Sequence, residues 1–496
     1  MRVDALHLGH DGARAALIEG AHTTTYAELE ALVSRMASGL AAIGVRPGDR
    51  VAVWLSKTTG NIAALLGAMR AGAVAIPVNP VLKAPQVEHI IADSGATVLL
   101  TNNARAETLR NTPRTCRVLR AEKDWGALMT GAPVAVDRTP DDLAAILYTS
   151  GSTGRPKGVM LSHANLVLGA ESVSEYLGIG AEERILCVLP LAFDYGLNQV
   201  LTALKQGGAA ILLDYLLPRD VVKAVIRHKA TALAGVPPLW MQLAEVEWPA
   251  EARGLRYITN SGGRMPAALT KRLRTLLPNT KIYLMYGLTE AFRSTYLDPA
   301  LVDAHPDSIG RAIPRAELHV LRADGTPAAP GEPGELVHAG PLVAKGYWND
   351  PDRTAVRFRP APAFFEHSGM AVWSGDTVMQ DDKGLLYFVG RDDEMMKISG
   401  NRVSPTEVEE AIFATGAVSA VAVFGVADDR LGQAIVAVGV RAAGLGEMEA
   451  EALARRELAG LVPAYMVPRH FIWETELPRN PNGKIDRAVL RARHVQ

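Results

Sequence analysis

Tyr148-Thr149-Ser150-Gly151-Ser152-Thr153-Gly154-Arg155-Pro156-Lys157-Gly158 is the stretch on which the reading of this chain turns. The residues just before it, 143 to 147, are Leu-Ala-Ala-Ile-Leu, an apolar run of strand length. The loop that follows combines Gly151, Gly154 and Gly158 with the hydroxyls of Thr149, Ser150, Ser152 and Thr153 and the charge of Lys157. Glycines let backbone N–H groups approach phosphate oxygens and tolerate positive φ. The hydroxyls can donate hydrogen bonds, and the lysine supplies a point charge. A mobile Gly/Ser surface loop is the bland alternative. The lysine, the density of donors and the position after a strand favour phosphate binding. The order GxxxxGK[ST] is absent, so this is not a Walker A loop, and kinase or GTPase readings weaken.

Outward from the loop, strand and helix patterns alternate. Residues 26–43 place Leu29, Leu32, Val33, Met36, Leu40 and Ile43 at helical spacing, with Thr25 and Glu28 as a capping box. A strand over 50–55, a helix over 61–71 and a strand over 73–78 follow, and strands recur near 185–189, 208–213 and 232–236. Such β-α-β order predicts a mainly parallel sheet covered by helices. From about residue 310, Pro327, Pro330, Gly331, Pro333 and Gly334 break the chain into short strands, a small β-rich unit. After a charged turn at 390–394 come a helix over 405–414, strands over 418–426 and 434–440, and a helix over 448–461. The predicted fold class is α/β: a large N-terminal domain of stacked β-α-β sheets (1–390) with a small β-barrel-like unit, then a small mobile α+β domain (391–496).

Composition narrows the class. The chain has 496 residues, 48% hydrophobic and 21% charged, so it can bury sizeable cores. A formal net charge of -1 gives no general attraction to nucleic acid or to an anionic membrane. Two cysteines, Cys116 and Cys187, form no CxxC pair, which argues against a disulfide framework or structural zinc. No apolar run reaches the roughly 20 residues of a membrane span, and the N-terminus lacks a signal-peptide pattern. A cytoplasmic protein is expected.

Further stretches turn the loop into a resemblance. Thr25-Tyr-Ala-Glu-Leu29, Ala71-Gly-Ala-Val-Ala-Ile-Pro77, the loop itself, Tyr286-Gly287-Leu-Thr289-Glu290, Ser374-Gly-Asp376, Gly390-Arg391-Asp-Asp393 and Asn482-Gly-Lys484 occur in order along nearly the whole chain. Together they resemble the core motifs of the adenylate-forming superfamily, which includes acyl-CoA synthetases, luciferases and amino-acid adenylation domains. The resemblance implies ATP and Mg2+. It implies that Glu290, beside Thr289, ligates the metal, as a hard cation wants oxygen ligands. Tyr286 would stack on adenine, with Gly262 and Gly263 lining the other side of the base, and Gly287 would belong to the nucleotide site. Asp376 would accept from the ribose hydroxyls, and Arg391 would reach ribose or phosphate. Trp373 departs from the tyrosine usual there. Lys484 would be the catalytic lysine of the adenylation step, stabilising negative charge in the displacement. Asp393 would be the hinge about which the small domain rotates, and Lys397 and Gly400 would line the pantetheine tunnel.

Which acid is activated turns on fewer residues. Phe193-Asp194 looks like the Phe-Asp of amino-acid-activating domains, where the aspartate pairs with the substrate's ammonium. Extending the resemblance, the pocket would comprise Asp194, Tyr195, Asn198, Gly235, Thr259, Ser261, Met285, Arg293 and Ser294. Arg293 could read an acidic side chain through its fork of donors, or it could neutralise Asp194 and remove the case for an amine. The expectation is a stand-alone ligase that adenylates an amino acid and passes it to the phosphopantetheine thiol of a carrier protein. An AMP-forming acyl-CoA synthetase, with CoA as acceptor, is the alternative, and a catalytically dead nucleotide-binding scaffold is a third.

Overall fold

A computed structural model describes the chain except residues 131–135, 150–155, 264, 266, 392–394, 479–486 and 495–496. It divides into two compact units. The larger comprises Met1–Pro80, Glu88–Tyr148 and Gly158–Gly390; the smaller comprises Val81–Val87, Thr149–Lys157 and Arg391–Gln496.

The larger unit begins with the expected cap. Thr25 Oγ1 accepts from the Glu28 N–H at 3.2 Å and Glu28 Oε2 accepts from the Thr25 N–H at 2.8 Å, so both orphan donors at this helix end are satisfied. The helix, α1 (Tyr26–Ala42), buries Leu29, Val33, Met36 and Leu40, one stripe at helical spacing. Its Gly39 touches the backbone of Leu128 so closely that a Cβ would lie 1.8 Å from the Leu128 carbonyl oxygen. A six-stranded sheet contains Arg50–Trp54, Val74–Pro77, Val98–Thr101, Arg117–Arg120 and Leu143–Thr149 in parallel, with Lys157–Ser162 at its edge.

The second sheet positions the site. Its parallel strands include β1 (Arg184–Cys187), β2 (Ala209–Leu212), β3 (Ala232–Gly235), β4 (Tyr257–Asn260) and β5 (Lys281–Tyr286). The spatial order is β2-β1-β3-β4-β5. From β1 the chain goes to one side to form β2, then crosses back to the other side to form β3. Open parallel sheets bind ligands at the carboxyl ends of the strands where such a reversal occurs. Beyond β5 the direction alternates: β6 (Thr295–Leu297) and β7 (Ser308–Ala312) are antiparallel. Through β7 the β-rich stretch, with Glu317–Leu321, Pro333–Ala339, Met370–Gln380 and Leu386–Arg391, is continuous with the parallel sheet.

Two helices cover this sheet near the reversal. Helix α2 (His163–Leu177) starts on a Ser162 cap that bonds the Asn165 N–H at 3.2 Å, and left-handed Gly178 ends it. Helix α3 (Asp194–Gln206) follows β1 and packs on α2. Residues 194–204 of α3 are all buried. Four of them, Asp194, Asn198, Gln199 and Thr202, are polar, which a helix packed on every side tolerates only where partners or a ligand meet them.

In the smaller unit, Met396–Ile398 and Asn401–Val403 form a hairpin closed by Ser399 (φ 50) and Gly400 (φ 80). Two positive φ values make the turn that matches the twist of paired strands. Val418–Asp428 pairs antiparallel with Gly432–Arg441, and helices Pro405–Ala414 and Glu447–Leu461 pack over a core of Ile398, Val408, Ile412, Val423, Ile435 and Leu458.

Candidate active site

Strand ends carry most of the candidate residues of the larger unit. Gly235 is the last residue of β3, Thr259 lies one before the end of β4, and Met285 and Tyr286 end β5. Past β4, Ser261 leads into Gly262, which takes φ +78, and Gly263, where a Cβ would meet Pro237 at 3.1 Å. Past β5, residues 287–294 form a tight excursion. The Ser294 N–H returns to the Tyr286 carbonyl at 3.1 Å. At Gly287 a Cβ would lie 3.0 Å from the Arg293 Cα. Phe292 takes φ 61, a left-handed value that a large side chain adopts only when its surroundings hold it. Its ring lies against Gly169 of α2, where a Cβ would be 2.2 Å away.

The next residue, Arg293, is 2% exposed. Its Nη1 donates to Ser261 Oγ at 2.9 Å, and its guanidinium lies over the Tyr195 ring, 4.6 Å from the centroid. Nε and Nη2 have no hydrogen-bond partner among the described residues, Asp194 included. Arg293 lines a cavity with Tyr195 and Asn198 of α3, Tyr176 of α2, Thr259 of β4 and Met285 of β5. Ile185 of β1 and Ala232, Leu233 and Ala234 of β3 also line it.

Asp194 starts α3 and is 5% exposed. Its Oδ1 accepts from Thr289 Oγ1 at 3.3 Å. Burial pushes its carboxyl above the ordinary carboxylate range, against the downward pull of the Arg293 charge and the Thr289 hydrogen bond. Tyr195 and Thr259 hydroxyls pair at 2.5 Å, and the Tyr176 hydroxyl donates to Met285 Sδ at 3.0 Å. Asn198 Oδ1, Gln199 Oε1 and Thr202 Oγ1 find no partner among the described residues.

Of the residues expected in the acid pocket, Tyr195, Asn198, Thr259, Met285 and Arg293 share this cavity. Ser261 reaches it by holding Arg293. Gly235 faces the Trp240 indole, 2.8 Å from where a Cβ would be. Ser294 is turned elsewhere, its Oγ 2.9 Å from Nδ1 of fully buried His338. Tyr176, Gln199, Thr202 and Tyr257 also line the cavity and were not anticipated. Gln199 and Thr202 follow Tyr195 and Asn198 at helical spacing on α3, a signal that residues 194–202 do carry.

A second cluster adjoins through the Thr289–Glu290 pair. Glu290 is 5% exposed, and Tyr347 donates its hydroxyl to Oε1 at 2.6 Å. Tyr286 donates its hydroxyl to Asp376 Oδ2. Ser374 Oγ accepts from the Asp376 N–H at 3.1 Å, and Glu335 Oε1 accepts from the Gly375 N–H at 2.9 Å. Gly375 takes φ +66, with the Arg357 guanidinium where a Cβ would stand. The turn that presents Asp376 is thereby fixed from both sides. Among the described residues, no group of three or more His, Cys, Asp or Glu could cage a metal ion. Magnesium is usually held by one or two carboxylates together with substrate phosphates, and buried Glu290 suits that mode.

Thr149 ends one strand and Lys157 begins the next, while Ser150, Gly151, Ser152, Thr153 and Gly154 lie outside the described residues. Asp393 and Lys484 also lie outside them, and so does the side chain of Arg391. Lys397 sits in the hairpin strand, its N–H donating to Gln433 Oε1 at 2.7 Å, and Gly400 closes that hairpin. Both thiols are buried. Burial pushes Cys187 up to about 12 and Cys116 to about 11, so neither offers a thiolate near neutral pH. No helix among the described residues is long and apolar enough to cross a membrane.

Comparison with known proteins agrees with this geometry. Residues 7–348 match the family described as AMP-binding enzyme, and residues 407–484 match its C-terminal domain. A feruloyl-CoA synthase from Amycolatopsis sp is 36% identical over 492 residues, covering 96% of this chain and 95% of that protein. A linear gramicidin synthase from Brevibacillus parabrevis is 33% identical over 94% of this chain, which spans 6% of that protein. Among solved structures, the o-succinylbenzoate CoA synthetase of Bacillus subtilis superposes with a TM-score of 0.86 at 26% identity, covering 100% of this chain and 98% of that one. The amide bond synthetase McbA of Marinactinospora thermotolerans does so at 0.86 and 25%, covering both chains fully. The chain belongs to the AMP-binding enzymes of the adenylate-forming superfamily and is an AMP-forming acid–thiol ligase.

Proposed function

We propose that this ligase activates a small carboxylic acid without an α-ammonium group and transfers the acyl group to the thiol of CoA. The buried guanidinium of Arg293 in the acid cavity is the observation that carries this reading. An ammonium placed near Asp194 would bring a second cation close to Arg293, and like charges in a desolvated site repel strongly. The match to feruloyl-CoA synthase over nearly the full length of both chains supports CoA as acceptor.

In the first step a carboxylate oxygen of the acid attacks the α-phosphorus of ATP, and the bond to the β-phosphate breaks to release pyrophosphate. Glu290, held by Tyr347, is proposed to ligate Mg2+ on the phosphates. Magnesium would neutralise charge on the phosphates and on the leaving pyrophosphate. Tyr286 and Asp376, joined by their hydrogen bond, are proposed to meet adenine and ribose. Lys484 is proposed to stabilise the charge that develops on the α-phosphate. In the second step the thiolate attacks the acyl carbon and the bond to AMP breaks. A hinge at Asp393 and a passage past Lys397 and Gly400 are proposed to serve that step. A reducing, cytoplasmic setting suits the two free thiols.

The second reading is an amino-acid ligase serving a carrier protein. Asp194, buried at the start of α3 in the Phe-Asp position, and the likeness to linear gramicidin synthase favour it. The deciding experiment measures pyrophosphate release on amino acids, fatty acids and aryl acids, with CoA added and product identified by mass. Acyl-CoA formed from acids lacking an α-amine is the expected result. Activation confined to amino acids, with no acyl-CoA product, overturns it. Lys484→Ala should cut adenylate formation at least about 100-fold while largely sparing thioester formation from preformed adenylate; equal loss of both would sink its assigned role.

A further inference from the structure

The orphaned donors of Arg293 are the sharpest unexplained feature of the molecule. A buried cation is expected to have every N–H satisfied, and leaving donors unpaired in a dry site is costly. Here Nη1 is used by Ser261, and the ring of Tyr195 covers one face of the guanidinium. The remaining donors, Nε and Nη2, are adjacent on the guanidinium and have no partner among the described residues. That edge is the two-pronged fork that matches the two oxygens of a carboxylate. Asp194, whose Oδ1 accepts from the Thr289 hydroxyl, makes no hydrogen bond to either of these donors.

We propose that the acid this enzyme activates carries a second carboxylate, which the Nε–Nη2 edge of Arg293 binds in the cavity. The proposal rests on the acid-ligase activity proposed above and names the class of its substrate: a compact dicarboxylic acid. Around Arg293 the cavity wall is Val173, Leu177, Ile179, Ile185 and Tyr257, so the skeleton between the carboxylates is apolar or aromatic. Asn198 and Gln199 line the same cavity, and Asn198 Oδ1 and Gln199 Oε1 have no partner among the described residues. Arg293 is thus a specificity-determining residue: it selects the acid and takes no part in bond making.

The test pairs each diacid with its monoester: hexanedioic acid with its monomethyl ester, and 3-(4-carboxyphenyl)propanoic acid with the ester of its aryl carboxylate. Pyrophosphate release is measured with ATP and CoA. A second measurement, independent of turnover, is the shift in melting temperature caused by each compound. The intact enzyme should favour diacid over monoester by about 100-fold in kcat/KM, the scale of two charge-assisted hydrogen bonds. Arg293→Gln should lower that ratio by about 100-fold and abolish the diacid-specific melting shift. Arg293→Met should melt no lower than the intact enzyme without ligand, because an unsatisfied buried cation has been removed. Preference for the monoester overturns the proposal. So does an equal loss on both compounds in Arg293→Gln, or a much lower melting point in Arg293→Met, which would mark a structural cation. If no acid of any class releases pyrophosphate, the ligase activity itself fails, and the melting shifts still decide whether a second carboxylate binds.

Discussion

Tyr347 is a residue for which the motifs gave no role. It lies 57 positions from Glu290, and its hydroxyl holds Oε1 of that carboxylate. A carboxylate fixed by a hydrogen bond presents its lone pairs in one direction, which is what orienting a metal-bound group requires. Tyr347→Phe removes that bond and keeps the ring. We expect pyrophosphate release to fall about tenfold at limiting Mg2+, with a higher Mg2+ concentration for half-maximal rate. A magnesium titration that superimposes on that of the intact enzyme would show that Tyr347 does not position Glu290. Motifs name residues that touch substrate. Their partners across the fold leave no local mark, and Tyr347, like Glu335 behind the Gly375 turn, became visible only in three dimensions. Gly400 shows the converse. The sequence suggested a role in passing the thiol, and the structure adds a backbone reason for glycine, φ 80 in a two-residue hairpin turn.

Helix α2 shows how a covering helix shapes the cavity. Gly169 stands in mid-helix, where glycine normally costs stability, and Gly→Ala at an exposed site gains up to about 1 kcal/mol. Here the sign should reverse. The added methyl would stand 2.2 Å from the Phe292 ring, whose backbone is held at φ 61. Overpacking of this kind costs about 1–3 kcal/mol. Gly169→Ala should therefore lower stability by that amount in urea unfolding and blur the acid preference, because Arg293 follows Phe292 directly. A more stable variant with an unaltered acid panel would disconnect α2 from the site. The elements themselves were largely legible: the Thr25–Glu28 box, α1, and the helices and long strands of the smaller unit lie close to where periodicity placed them. The second row of cavity residues on α3 was legible only as helical spacing, not as burial. A local window shows Gln199 and Thr202 as polar helix positions, and only the packing on every side reveals them as buried.

For the whole chain, the sequence displayed β-α-β alternation but not the strand order, which depends on long-range pairing. That order, with β1 between β2 and β3, sets β1, β3, β4 and β5 side by side, and the acid cavity is lined by residues of these four strands. Folding this large sheet also buries histidines. His163 is the first residue of α2, 1% exposed, with Nδ1 accepting from the Val3 N–H at 3.2 Å. Burial pushes its pKa down to about 4, and fully buried His338 is pushed down to about 3. The smaller unit buries no histidine: His470 is exposed, and His494 pairs with Glu474 at 2.7 Å. A histidine buried neutral has a folded pKa below its unfolded value near 6.5, so the unfolded chain binds more protons in between. Its stabilising contribution is complete above about pH 6.5 and is lost as pH falls toward the folded value. For His163 that loss is on the order of 3 kcal/mol by pH 4. The larger unit should therefore lose stability between pH 6.5 and 4 while the smaller one changes little. Calorimetry across that range, with the unfolding region assigned by limited proteolysis, checks it. His163→Asn and His338→Asn should each flatten the pH slope even if they lower stability at neutral pH. Slopes matching that of the unmodified chain would show that other groups set its acid sensitivity.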